Sequence, residues 1–267
     1  MNLPEEKNIT TRALELCDKH KESIYKRTDY MFGVLMVLQW VGGILTAILI
    51  SPKTWVGVIS QTHIHVWAAI FLGGAIIVFP LLLIVTRPGW FFTRHVIAVA
   101  QMLTSALLIH LSGGRIETHF HVFGSLAFLS FYRDWTVLIS ASVIVAVDHI
   151  IRGLYWPQSV YGIITVEPWR WFEHTAWVMF ENIFLIIAII KSRKEMEEIA
   201  FRQTNIETIN KDIEAKVIQR TKELEGSNRE LKIKMDELEK LNSIMVGREE
   251  RILELKEEIK VLRESYK

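Results

Sequence analysis

One cysteine, Cys17, occurs in 267 residues, and that scarcity excludes an intrachain disulfide and any thiolate-rich metal site. A metal bound by this sequence is held by nitrogen and oxygen. Also absent is a P-loop or any other glycine-rich phosphate cradle. No cleavable signal peptide is expected, because the first residues are polar and the first apolar run is long and lacks a small-residue cleavage pattern. The net charge is +1, which gives no basic excess to draw a polyanion, and no nucleic-acid partner is expected.

What the chain does have is apolar length. Half of its residues are hydrophobic, while charges dominate from Lys191 onward. The runs Tyr30 to Ile50, His65 to Val85, His95 to Leu111, His119 to Phe131, Trp135 to Ile151 and Phe172 to Ile190 are read as six transmembrane segments, measured against about 20 residues for a crossing helix. The fourth is closer to a half-span and must sit among protein neighbours. Lys19, Lys21, Lys26, Arg27, Arg87, Arg94, Lys191, Arg193 and Lys194 share one side, whereas Ser51 to Thr62 and Ser112 to Thr118 carry only Lys53 and Arg115. By the positive-inside rule both termini are expected to be cytoplasmic. The fold class is therefore all-α: a polytopic membrane bundle followed by a cytoplasmic rod. The divisions expected are 1–29, a cytoplasmic segment; 30–190, the membrane domain; and 191–267, the signalling helix. Thr10 to Arg27 reads as an amphipathic helix whose basic end rests on anionic lipid.

In that topology His63, His65, His110, His119, His121, His149 and His174 all fall near the outer boundary, leaving His20 and His95 on the inner side. Neutral imidazole suits zinc, copper, iron and nickel. Two HxH elements, His63-Ile64-His65 and His119-Phe120-His121, open membrane segments. Residues two apart on a helix point in very different directions, so such a pair either serves two neighbouring sites or bends at the helix start to serve one. Glu117, Asp148 and Glu173 accompany the histidines as further ligands or as groups that fix an imidazole tautomer. Glu181 lies two turns below His174, at a depth where an acid is costly and usually functional; it is read as a further ligand or a group supporting one, a buried counter-charge, a proton acceptor, or a partner of Gln39 or Gln101.

Ordinary roles account for several of these residues. A lone interfacial histidine is usually a wet amphipathic residue, and Asp148 with Arg152 has the spacing of a plain helix ion pair. Trp55, Trp67, Trp156, Trp169, Trp171 and Trp177 form an outer aromatic belt. The loop Gly153 to Trp171, with Pro157 and Pro168, is placed to act as a lid.

In the tail, Val217, Leu224, Leu231, Leu238, Met245, Ile252 and Ile259 recur every seven residues, with Thr221, Asn228, Met235 and Asn242 in the second seam. That is a parallel coiled-coil pattern, in which Asn228 and Asn242 favour two strands. From Leu238 the second seam moves to Leu241, Leu255 and Leu262, interrupted by Arg248, a change of phase.

The stretch Glu117-Thr118-His119-Phe120-His121-Val122-Phe123-Gly124, continuing to Phe131-Tyr132-Arg133-Asp134-Trp135, resembles the histidine-rich membrane input region of bacterial sensor histidine kinases, chemoreceptors and cyclic-dinucleotide enzymes. The tail Leu241-Asn242-Ser243-Ile244-Met245-Val246-Gly247-Arg248-Glu249-Glu250, with Ile252 to Lys256, is similar to helical linkers of sensor kinases. The resemblance implies a homodimeric sensor of a bacterial inner membrane, relaying through Val217, Leu224, Asn228, Leu231, Leu238, Asn242 and Met245 to a kinase or other output protein. No kinase or cyclase domain follows before Lys267, so no enzyme activity is expected, and the chain reads as an input module or a piece of a longer receptor. The expected ligand is a transition metal, zinc, copper or iron, or a metal-bound molecule. The alternatives are a b-type haem redox or gas sensor and a His-ligated membrane metalloenzyme.

Overall fold

Without water to satisfy backbone N–H and C=O groups, apolar runs of this length fold as helices. The computed structural model describes residues 3–265. The elements are α1 (Leu3–Ile50), β1 (Lys53–Val56), β2 (Ile59–Thr62), α2 (Ile64–Trp67), a π-helical turn (Ala68–Leu72), α3 (Gly73–Thr86), α4 (Phe91–Leu111), α5 (Ile116–Leu129), a 3₁₀ turn (Ser130–Tyr132), α6 (Trp135–Tyr155), α7 (Gln158–Tyr161) and α8 (Arg170–Ser265).

Among the described residues five helical stretches are long and apolar enough to cross a membrane: Ile9–Ile50, Ile64–Thr86, Phe91–Leu111, Trp135–Tyr155 and Arg170–Ser265. The fourth apolar run is shorter. Its helix α5 has 14 residues, about 21 Å at 1.5 Å per residue. The second stretch is interrupted by the π-helical turn, whose displaced carbonyls of Ala69 and Ile70 accept from Trp40 Nε1 at 3.1 and 3.2 Å. Gly73 makes room for that indole, since a Cβ there would stand 2.9 Å from Trp40 Cδ1.

The chain divides into two units, Met1–Thr204 and Asn205–Lys267. In the first, α4 packs against α1, α3, α5 and α6, burying Ile97, Met102 and Ile109 with Phe32, Leu126, Leu129 and Leu138. The histidines of interest lie towards one end of this bundle, the histidine end. At the other, the tail end, α1 does not break near Arg27 into a separate surface helix. It runs on as one helix because Cys17 is buried against Met196 and Ala200 of α8.

The tail end is tied by charge pairs. Arg94 Nε donates to Asp134 Oδ2 at 2.8 Å and its guanidinium covers the Tyr25 ring at 4.3 Å. Asp134 also caps α6, accepting from the Thr136 amide at 3.2 Å and hydroxyl at 2.7 Å. Burial pushes the Asp134 carboxyl up, but the Thr136 hydrogen bonds and the Arg94 guanidinium outweigh it and hold it below the usual carboxylate value. Asp29 accepts from the Tyr132 hydroxyl and the Gly89 amide, both at 2.6 Å. Tyr132 is fully buried and stacks on Phe32.

One element departs from the all-helical expectation. β1 and β2 pair antiparallel, Lys53 with Thr62 and Val56 with Ile59. Thr54, Val56, Ile59 and Thr62 are β-branched, and Gly57 with φ +62 occupies the position where a type II′ turn needs glycine. In the second unit, residues 205–265 are helical and almost wholly exposed, including Val217, Leu224, Leu231, Leu238 and Met245. These apolar side chains recur every seven residues on an exposed helix.

Candidate functional site

The seven histidines at this end fall into three groups, because their helices arrive from different directions. The first joins His119 of α5, His149 of α6 and His174 of α8. Their ring centroids stand 5.7 Å (His119–His149), 5.4 Å (His119–His174) and 5.6 Å (His149–His174) apart. His119 and His149 are buried, 5% and 3% exposed.

Each of the three directs Nδ1 at the carbonyl one turn earlier: His119 to Arg115 at 2.9 Å, His149 to Val145 at 3.1 Å and His174 to Arg170 at 3.2 Å. A carbonyl cannot donate, so Nδ1 carries the proton and the lone pair is left on Nε2. His119 Nε2 is buried without a hydrogen-bond partner. Asp148 Oδ2 also lies 3.3 Å from His149 Nδ1 while both Asp148 oxygens accept from Arg152 at 2.7 Å. The ordinary helix pair and the tautomer-fixing role coexist in one carboxylate. Glu117 and Glu173 are exposed.

The triad forms part of the wall of a cavity of about 850 Å³, lined otherwise by Phe120, Phe123, Trp169, Phe172, Trp177 and other mostly apolar side chains. Two tryptophans of the aromatic belt therefore face this space. The 153–171 connection does reach the site. Tyr161 places its ring 5.1 Å from His174 and 6.5 Å from His149, with its hydroxyl buried and unpartnered. Burial pushes that hydroxyl's pKa up. Tyr161 was not evident in the sequence. The signal was the glycine pair that seats its loop: Gly114 at φ +75 and Gly162 at φ +69 meet backbone to backbone, and a Cβ on Gly114 would collide with the Gly162 amide.

The second group is His63, His65 and His110, with centroids 4.3 Å (His63–His65) and 4.9 Å (His65–His110) apart and Trp156 4.8 Å beyond His110. Here the HxH pair bends at the helix start: His63 Nδ1 caps α2 by accepting from the His65 amide. His110 Nδ1 meets Ser159 Oγ at 2.9 Å, and His65 Nδ1 is buried and unpartnered. The other HxH pair splits, since His121 turns away from His119 into the bundle. There Gln39 Nε2 lies 3.0 Å from His121 Nε2, and Ser105 Oγ lies 2.7 Å from its Nδ1.

Gln39 and Gln101 bond reciprocally, at 3.0 and 2.8 Å, rather than to Glu181. Their remaining amide capacity goes to His121 Nε2, against Gln39 Nε2, and to Ser125 Oγ, which donates to Gln101 Oε1 at 3.2 Å. Glu181 Oε2 is buried and unpartnered, and its neighbour Asn182 donates to Ser142 Oγ at 2.6 Å. Among the described residues, no set of three or more His, Cys, Asp or Glu side chains has its donor atoms converged for a metal as they stand.

Comparison with known proteins adds one likeness. Over 76 residues, 28% of this chain, the sequence is 33% identical to a transducer protein of Halobacterium salinarum, Htr8. The match takes in 12% of that protein's length. No known family's sequence pattern matches the chain, and no solved structure does.

Proposed function

We propose that the chain is a membrane signal-transduction sensor in which His119, His149 and His174 bind a transition metal, or a small molecule carrying one, and that α8 passes the event to a dimeric coiled coil. The similarity to a transducer protein supports the signalling role. The observation that carries the ligand reading is the spacing of the triad. Zinc lies about 2.0–2.1 Å from an imidazole nitrogen, which puts three coordinated rings about 5.2–5.5 Å apart, centre to centre. The observed centroids span 5.4–5.7 Å, so ring orientation, rather than helix position, separates this arrangement from a coordination sphere. Carbonyl-bound Nδ1 atoms are the partners that metal-ligating histidines normally have. A bound ion would supply a Lewis-acidic position open to the cavity, and this chain's part is to orient the imidazoles through their Nδ1 atoms, shield them with Tyr161 and admit an apolar ligand.

Relay through α8 is supported by how little of it is fixed in the membrane stretch, where Val178, Asn182 and Ile189 are its buried residues. His174 sits at its start and Met196 and Ala200 seat it against α1. Drawing His174 towards α5 and α6 therefore acts on a loosely held rod, and the exposed heptad seam is the surface on which a second copy would respond.

The test is protein purified in mild detergent without a histidine tag, with metals determined by elemental analysis and an absorption spectrum recorded. Near-stoichiometric metal lost in His119→Ala supports the reading. A Soret band selects haem instead. No metal and no haem, even after reconstitution with zinc, copper and iron(II), overturns it.

A further inference from the structure

At the tail end, two cavities of about 390 and 490 Å³ share Arg133 and Ser192 as lining residues. The first has an apolar side, Ile24, Phe131, Ala188 and Ile189, and a polar side with Arg27, Arg133 and Ser192. The second adds Lys19 and His20, with Glu195 as its carboxylate. Three elements meet here: α1, the connection from α5 to α6, and α8.

Arg133 is the centre of this arrangement. It is the one non-glycine residue with positive φ, +53, among the described residues, a backbone state that in a non-glycine residue points to function when its surroundings hold it. Its neighbours in sequence are already committed: Asp134 to Arg94 and Thr136, Tyr132 to Asp29. The polar contact recorded for the Arg133 guanidinium is Met196 Sδ at 4.0 Å, too long and too weak an acceptor to satisfy a five-donor fork. Arg27 is exposed and has no carboxylate partner among the described residues. Arg27, Arg133 and Ser192 line the first cavity and Lys19 the second, and these are side-chain types that bind phosphate.

We infer that this is a binding site for an anionic phospholipid, its phosphate headgroup held by Arg27, Arg133 and Ser192 and an acyl chain lying along Ile24, Phe131, Ala188 and Ile189. The apolar side is what selects a lipid over a free phosphate. It goes beyond general attraction of a basic helix to a charged surface, because the site is a cavity between three elements, one of which is α8. Its occupant ties α8 to the bundle at the opposite end from the histidines.

The experiment uses the full chain, delipidated in a neutral maltoside detergent. Phosphatidylglycerol or phosphatidylcholine is added in mixed micelles, inorganic phosphate is added alone, and binding is read by native mass spectrometry and thermal unfolding. Saturable binding of phosphatidylglycerol is expected, about fivefold weaker in each of Arg133→Asn and Arg27→Gln, as the loss of one basic contact near the membrane implies. Asparagine tolerates the left-handed backbone, and Arg27→Gln, on an exposed helix position, keeps the test alive if Arg133→Asn does not fold. Equal binding of phosphatidylcholine, or phosphatidylglycerol binding unchanged in both variants, overturns the proposal. Stabilisation by inorganic phosphate alone, equal to that by the lipid, also overturns it in favour of a soluble anion.

Discussion

The two ends of the bundle treat buried polar groups in opposite ways. At the tail end, Asp29, Tyr132, Arg94, Asp134 and Thr136 satisfy one another. At the histidine end, His119 Nε2, His65 Nδ1 and the Tyr161 hydroxyl are buried without partners. An unsatisfied buried polar atom costs about 1–3 kcal/mol, and three of them stand together at the histidine end, which fits the ligand site proposed there. The paired end is a clamp; the unpaired end is the proposed receptor.

Replacing a member of the clamp should give the largest effect. Asp134→Ala leaves the Arg94 guanidinium buried and α6 uncapped, an expected loss of about 3–5 kcal/mol, read as a large drop in thermal midpoint in detergent. An unchanged midpoint would remove the clamp from the comparison. The same pair sets an acid limit. Because the folded Asp134 carboxyl sits below its unfolded value, its contribution is present above the ordinary carboxylate range and is lost as pH falls through the lowered value. Wild type should lose stability along that acid limb, and Asp134→Asn should show a shallower one.

Gly114→Ala comes next. A side chain at φ +75 that also meets the Gly162 backbone is expected to cost about 1–3 kcal/mol and to displace Tyr161, so any metal affinity should fall with it. Loss of stability with metal binding untouched would detach the lid from the triad. The smallest effects on folding belong to the receptor end. Tyr161→Phe removes an unpartnered buried hydroxyl, so the thermal midpoint of the metal-free protein should change by less than about 1 kcal/mol equivalent, whereas His119→Gln also gives up the Nδ1 bond to the Arg115 carbonyl and should cost about 1 kcal/mol. Excess zinc should stabilise wild type, by about 2.7 kcal/mol at one hundred times the dissociation constant, and should leave His119→Gln unmoved.

Much of this was legible in the sequence, for physical reasons that can be named. Hydrophobic length located the apolar helices, and the shortness of the fourth run reappears as the 14 residues of α5. The i,i+4 spacing located Asp148 with Arg152. What was not legible depended on helix order: spacing left open whether an HxH pair serves one site or two, and His63–His65 and His119–His121 resolve it in opposite ways. The Gln39–Gln101 and Asp29–Tyr132 bonds join residues 62 and 103 positions apart, and the approach of Tyr161 to His174 depends on the path of an irregular connection; periodicity carries no information about any of them. The hairpin was missed because four-residue strands are too short to show a period beside membrane helices.

The central claim is that ligand capture at the triad alters the dimeric rod. It is tested most directly by cross-linking with a bismaleimide, which needs no oxidant, in membranes, using Leu231→Cys in a Cys17→Ala background. The account predicts that zinc, copper or iron(II) changes the cross-linking rate in otherwise wild-type protein and leaves it unchanged when His119 is replaced by alanine. A rate indifferent to every metal, or a metal response that survives loss of His119, would contradict it.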